Sequence, residues 1–178
     1  MKNQPRGFGV VELVIGLAVT SLIALGSTLL AHQTLTLNMK THQNIAVTTE
    51  VENAVHWISR DAQMAETILT QNLNPPNFIE FSWTEWGIGE DTVYHTVIYT
   101  VENSIDGIGD MKRTHWSSGG LNNTALVARA LYLEPEDNEN TSIADYSNPV
   151  LSLKLVVKSG TEIAVREFNV KRRTNFSW

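Results

Sequence analysis

From Phe8 to Ala31 the sequence is apolar on every side that a helix presents, and Glu12 is the one ionisable side chain within it. At about 1.5 Å per residue the run is long enough to cross a hydrocarbon core of roughly 30 Å. It predicts a membrane helix over residues 8–31. Past it, Thr34 to Thr49 is polar, and then Val47, Val51, Ala54, Val55, Ile58, Ala62, Ala65 and Ile68 recur at spacings of three and four. That spacing predicts one apolar stripe on a helix continuing through residues 32–73. Asn74-Pro75-Pro76 is expected to stop it, because proline removes a donor and forces its predecessor out of the α region.

After Pro76 the period changes. Asn77 to Trp83, Thr92 to Val101, Met111 to Trp116, Thr124 to Tyr132, Val150 to Lys158 and Ala164 to Lys171 are short runs rich in β-branched and aromatic residues, which predict strands. Leu151, Leu153, Leu155 and Val157 alternate with Ser152, Lys154 and Lys158, so one sheet face is apolar. Ser159-Gly160 reads as a tight turn between the last two strands. The expected fold class is α+β: a long N-terminal helix, membrane-spanning in its first half, packed on an antiparallel sheet head over residues 77–178.

A lone carboxylate in this apolar run needs a reason. Near the centre of a membrane helix it costs on the order of 2.5 to 3.5 kcal/mol, and less near an end. A cleaved secretory signal would have a shorter core and a small-x-small site, which "STLLAHQ" does not supply. An ordinary signal anchor fits the length and the flanking Lys2 and Arg6 but leaves Glu12 unexplained.

The whole pattern is a short basic leader ending in Gly7, then Phe8, Glu12 four residues later, and an apolar helix. "GFGVVE" followed by "LVIGLAVTSLIALG" resembles the type III signal of type IV pilins and type II secretion pseudopilins. The resemblance implies a leader over residues 1–7, cut by a prepilin peptidase between Gly7 and Phe8, with the new amine of Phe8 methylated. It also implies that Glu12 pairs with the N-terminal amine of a neighbouring subunit during assembly, a pairing that makes a buried charge tolerable. "ISRD" at residues 58–61, followed by "YTVENS", "MKRTHW", "ALVARALYLEPE", "VLSLKLVVKSG" and "FNVKRR", is similar to the J-type minor pseudopilins and the PilW-like minor pilins. Many type IV pilins carry a proline in the apolar helix; the absence of proline between Phe8 and Pro75 leans toward a pseudopilin or minor subunit. The expected fold is thereby pilin-like.

Composition narrows the rest. A chain of 178 residues with 42% hydrophobic content makes one ordinary domain beside the membrane helix. It has no cysteine, so disulfides are excluded, and a disulfide near the C-terminus, common in pilins, is missing. A net charge of -6 argues against nucleic acid as a partner, and Lys171-Arg172-Arg173 reads as a solvated strand edge or subunit contact.

His32, His42, His56, His95 and His115 are scattered without metal-ligand spacing, and no catalytic motif stands out. The chain reads as a non-enzyme without a cofactor or metal site. Glu134, Glu136, Asp137 and Glu139 are the calcium candidates of the Glu134–Asn140 loop, but the EF-hand spacing is missing and Pro135 interrupts them, which favours a solvated loop. Thr84 to Asp91, Asn103 to Asp110 and Glu134 to Asn148 read as loops.

The function implied is a minor pilin or pseudopilin of a type IV pilus or type II secretion pseudopilus, at or near the filament tip. Its partners would be the prepilin peptidase, other minor and major subunits, the inner-membrane assembly platform, and lipid along Phe8 to Ala31. Its place before assembly would be the inner membrane, crossed once, with the head outside the cytoplasm. Two other readings remain beside it: a tip-exposed adhesin or substrate-binding module using the loops, and a plain signal-anchored domain that keeps its leader.

Overall fold

The structure is a computed structural model that describes residues 9–71, 73, 76–86, 92–120, 122–134, 137, 140–160 and 162–172. It divides into two compact units, Met1–His42 and Gln43–Trp178. The architecture is α+β, with one helix and an antiparallel sheet.

Helix α1 runs over Val10–Met64, 55 residues. Its first part, up to His42, is exposed throughout and is long and apolar enough to cross a membrane. The hydroxyls scattered along it do not break that character. Those of Ser21, Thr28, Thr34 and Thr41 each donate to the carbonyl four residues earlier, at 2.7 to 2.8 Å, and Thr20 does the same to Gly16. Each donor is thus satisfied inside the helix and asks nothing of its surroundings.

The second unit owes its core to the stripe that the spacing predicts. Val47, Val51, Ala54, Ile58 and Ala62 are buried, packed with Phe81, Val97, Tyr99, Met111, Leu131, Leu151 and Leu155 from the sheet. The strands are β1 (Thr67–Leu69), β2 (Asn77–Trp86), β3 (Thr92–Ile105), β4 (Ile108–Ser117), β5 (Asn123–Tyr132), β6 (Ile143–Ser147), β7 (Val150–Ser159) and β8 (Glu162–Lys171). The order is β1-β2-β3-β4-β5-β7-β6, and β8 pairs with β7. Leu151, Leu153, Leu155 and Val157 are all buried, as their alternation requires.

Besides the loop read from Thr84, whose first three residues carry β2 on to Trp86, four expectations are corrected. The helix does not reach residue 73: it ends at Met64, well before the prolines. The Glu66 N–H leaves the helical ladder and donates to the Ser82 carbonyl, and Thr67–Leu69 then pairs with Leu69 opposite Glu80. Thr67 and Ile68 are β-branched and gain more from an open strand edge than from another helical turn. Ala65 and Ile68 are buried, as expected, but from outside the helix.

The second correction concerns Asn103 to Asp110, read as a loop. β3 runs on to Ile105 and β4 resumes at Ile108, leaving Asp106-Gly107 as a two-residue turn with φ of 52° and 74°. Positive φ at both positions is the type I′ geometry that Asp-Gly favours. The third is β6, which lies inside the span read as one loop from Glu134 to Asn148. The fourth is Arg172, which is no solvated edge: its guanidinium donates to the Glu66 carbonyl just past α1. Pro75, residues 87–91 of the first loop, Pro135, Glu136, Glu139 and Arg173 lie outside the described residues.

Between β5 and β7 the ladder thins to one pair, Leu131 opposite Val157. Part of the exposed β5 backbone is taken up by α1. Asn53 Nδ2 donates to the Val127 carbonyl at 2.6 Å, and the Arg129 N–H donates to Glu50 Oε2 at 2.9 Å. Helix side chains therefore stand in where a neighbouring strand would otherwise pair.

Candidate functional site

Among the described residues, three places gather polar groups that bear on function. The first is the start of α1. Gly9 stands one residue before the helix, and its carbonyl accepts from the N–H of Glu12 at 3.0 Å and of Leu13 at 3.3 Å. Glu12 Oε2 accepts the Gly9 N–H in return at 3.1 Å. A carboxylate three residues past the cap, bonding back to the cap's own N–H, is one half of a capping box and complements the positive helix terminus. Glu12 thus has a local partner within the chain. Gly7 and Phe8 lie outside the described residues, so the geometry of the cut and of the amine at Phe8 is not on view.

The second place is the end of α1, and its centre is the last letter of "ISRD". Asp61 is fully buried. Its Oδ2 accepts from Arg113 Nε at 2.7 Å and from the Tyr99 hydroxyl at 2.5 Å, while Oδ1 accepts from Arg113 Nη2 at 2.9 Å. Arg113 on β4 and Tyr99 on β3 are register partners, so two adjacent strands aim both donors at one carboxylate. The fork matches the carboxylate bidentately, the strongest form of such a pair. Arg113 also lies over the Trp57 ring, 5.2 Å from its centroid, and Arg60 lies 5.8 Å from the same ring.

Burial alone would lower the Arg113 pKa, but the hydrogen bonds and charge of Asp61 outweigh it and hold the guanidinium above its ordinary value. Burial first, and then the charge of Asp61, push the Tyr99 phenol far up. The network is therefore a fixed ion pair with a neutral phenol donating to it, not a proton-transfer site.

The third place is beside it on the same sheet face. The near-parallel rings of Trp83 and His95 have centroids 5.1 Å apart, and those of Trp83 and His115 5.7 Å. His95 Nδ1 is 3.1 Å from His115 Nε2, and His95 Nε2 is 3.1 Å from Glu85 Oε2. With both rings neutral, the carboxylate fixes the His95 proton on Nε2, so Nδ1 accepts from His115. Burial, then the charges of Arg113 and His95, lower the His115 pKa against the opposing pull of Asp61.

His95 and His115 are scattered in the sequence, and the pairing of β3 with β4 brings them together. The signal that could have found them is alternation: His95 shares the inward alternation of Val97, Tyr99 and Val101, and His115 that of Met111 and Arg113. Among the described residues no group of three or more acidic or histidine side chains is arranged to hold a metal ion. In the acidic loop, Asp137 Oδ1 accepts from the Asn140 backbone and side chain at 3.1 and 3.3 Å, and Glu134 is tied through its N–H to Thr141 Oγ1 at 2.8 Å.

No protein-family model matches the chain, no characterised relative matches it, and no solved structure matches its fold.

Proposed function

We propose that the chain is a structural subunit of a type IV pilus or type II secretion pseudopilus, a minor pilin or pseudopilin whose head acts at or near the filament tip. The observation that carries this reading is the position of Glu12. It is the one carboxylate of the exposed apolar stretch of α1 from Val10 to Ala31, which is of membrane-crossing length, and it is held at the first turn by an N–H. Removal of residues 1–7 would place a free amine at Phe8, one turn from that carboxylate. Before cleavage Glu12 bonds to Gly9; after it, Phe8 of the same or a neighbouring subunit offers a charged partner, which is worth more than a neutral N–H.

The head fits a subunit with binding rather than chemistry to perform. Among the described residues, the buried charged side chains Asp61 and Arg113 form an ion pair that joins α1 to β4, with Tyr99 of β3 donating to it. In this reading the first unit is the anchor in the inner membrane, the head lies outside the cytoplasm, and the partners are the prepilin peptidase, the assembly platform and other subunits.

The test is intact-mass and N-terminal peptide analysis of the protein from membranes of cells with and without an active prepilin peptidase. A chain beginning at methylated Phe8 only where the peptidase is active is the expected result. A chain that keeps Met1 to Gly7 in both strains overturns it. Glu12→Ala is expected to be processed but excluded from filaments, and Gly7→Ala to stay unprocessed.

A further inference from the structure

Three large aromatic side chains remain in solvent on the sheet face opposite the one that carries Tyr99 and Arg113. They are Trp86, Tyr94 and Trp116, with 80%, 63% and 40% of their surface exposed. Trp86 stands opposite Thr92, Tyr94 opposite Thr84, and Trp116 opposite Thr96. Each aromatic is therefore two residues displaced from the next along adjacent strands, and the three make one oblique row across β2, β3 and β4. Diagonal neighbours on a sheet lie about 7–8 Å apart, so the row is roughly 15 Å long.

All three register partners are threonines. Thr114, two residues from Trp116 on the same face, adds another hydroxyl, 3.2 Å from that of Thr124. Thr84 donates to Glu66 Oε2 at 3.1 Å, which brings one carboxylate to the rim. The backbone beneath is rigid: Tyr94 N–H donates to Ser118 Oγ and Ser118 N–H to the Tyr94 carbonyl, both at 3.0 Å. A single exposed aromatic needs no explanation, but a row of them on a hydrogen-bonded ladder leaves apolar area in water that burial would otherwise remove.

We propose that this row is a binding platform for an uncharged glycan chain. Successive sugar rings would lay their C–H faces on Trp86, Tyr94 and Trp116, where the negative aromatic face attracts them. Their hydroxyls would exchange hydrogen bonds with the threonines, which both donate and accept, and would donate to the Glu66 carboxylate, which accepts. A neutral ligand fits because the positions between the rings, Thr84, Thr92 and Thr96, carry hydroxyls and not ions. The inference goes beyond the filament reading and does not rest on it, since a chain that kept its leader would present the same face.

The experiment uses the full chain in a zwitterionic detergent, because a glycosidic detergent would compete. It is incubated with microcrystalline cellulose, chitin and starch granules, and the bound fraction is measured at low salt and at about 1 M salt. Retention on at least one of them, insensitive to salt, is expected. Trp86→Ala, Tyr94→Ala and Trp116→Ala should each weaken it by about tenfold or more, and Trp86→Ala and Tyr94→Ala, the most exposed of the three, should do so with the melting temperature unchanged. Absence of retention on all of them overturns the proposal. So does retention that the three variants leave intact or that salt abolishes, which would mark adsorption elsewhere; capture of an envelope protein lost in the same variants, without glycan binding, would assign the face to a protein partner instead.

Discussion

Replacing Arg113 by methionine removes the charge that faces Asp61 and keeps most of the volume. Asp61 is fully buried and the Arg113 side chain is 11% exposed, so water cannot take over the lost bonds. Two of the three hydrogen bonds that Asp61 accepts come from Arg113. Breaking a buried pair from one side costs about 3–5 kcal/mol. Removing only the Tyr99 hydroxyl, in Tyr99→Phe, is expected to cost less, about 1.5–3 kcal/mol, because the bidentate pair survives. Asp61→Leu combined with Arg113→Met replaces the whole pair by apolar groups and should recover most of the loss. The assay is urea unfolding of the full chain in micelles, followed by near-ultraviolet circular dichroism, with the slope checked for constancy across variants. The reasoning predicts a coupling energy of at least about 2 kcal/mol in the double-mutant cycle. A coupling within about 0.5 kcal/mol, the additivity expected of independent sites, would refute it.

Three further outcomes follow from the head. His115 has a lowered pKa in the fold, so the unfolded chain binds more protons once pH drops below about 6.5. Its contribution is complete above that value and is lost as pH falls through the folded pKa; melting temperature should therefore decline from neutral pH toward pH of about 5, and His115→Gln should flatten the decline. Gly107→Ala should destabilise by about 1–2 kcal/mol from its positive φ alone. Its new Cβ would also meet the Tyr132 ring and the Glu134 carboxylate at 3.0 Å, and a melting temperature equal to the parent's would contradict both effects. Asn53→Ala should cost about 1 kcal/mol in the same urea assay, since the Val127 carbonyl loses its side-chain donor.

The parts of the fold legible in the sequence are those where one period ran uninterrupted. The stripe from Val47 to Ala62 and the alternation from Leu151 to Val157 each bury the residues they should, because a face of constant chemistry admits one orientation. What escaped was too short to display a period. β1 and β6 span 3 and 5 residues, too few for alternation to declare itself, and their existence depends on the neighbours they pair with. The turn at Asp106-Gly107 was a missed local signal: Asp-Gly between β-branched runs predicts a hairpin, and the surrounding polar residues obscured it. Arg172 carried no local signal at all, since its acceptor is the Glu66 carbonyl, far away in sequence.

The polar cluster around Asp61 shows why the same limit applied to the site. A stripe of Val, Ala and Ile repeating every three or four residues gives the helix an apolar face, but such a face does not by itself distinguish one position along the sheet from another a turn away. The Asp61 carboxylate does distinguish them, because a bidentate guanidinium and a phenol on paired strands converge on one point. Past that point α1 runs one further turn, and the last helical bond is the one from Ala65 N–H to the Asp61 carbonyl. The next residue already pairs with β2. The helix ends one turn past its anchor, ahead of the prolines that sequence rules single out. Sequence alone displays the carboxylate; it becomes an anchor only when β3 and β4 are paired, with Tyr99 directly opposite Arg113.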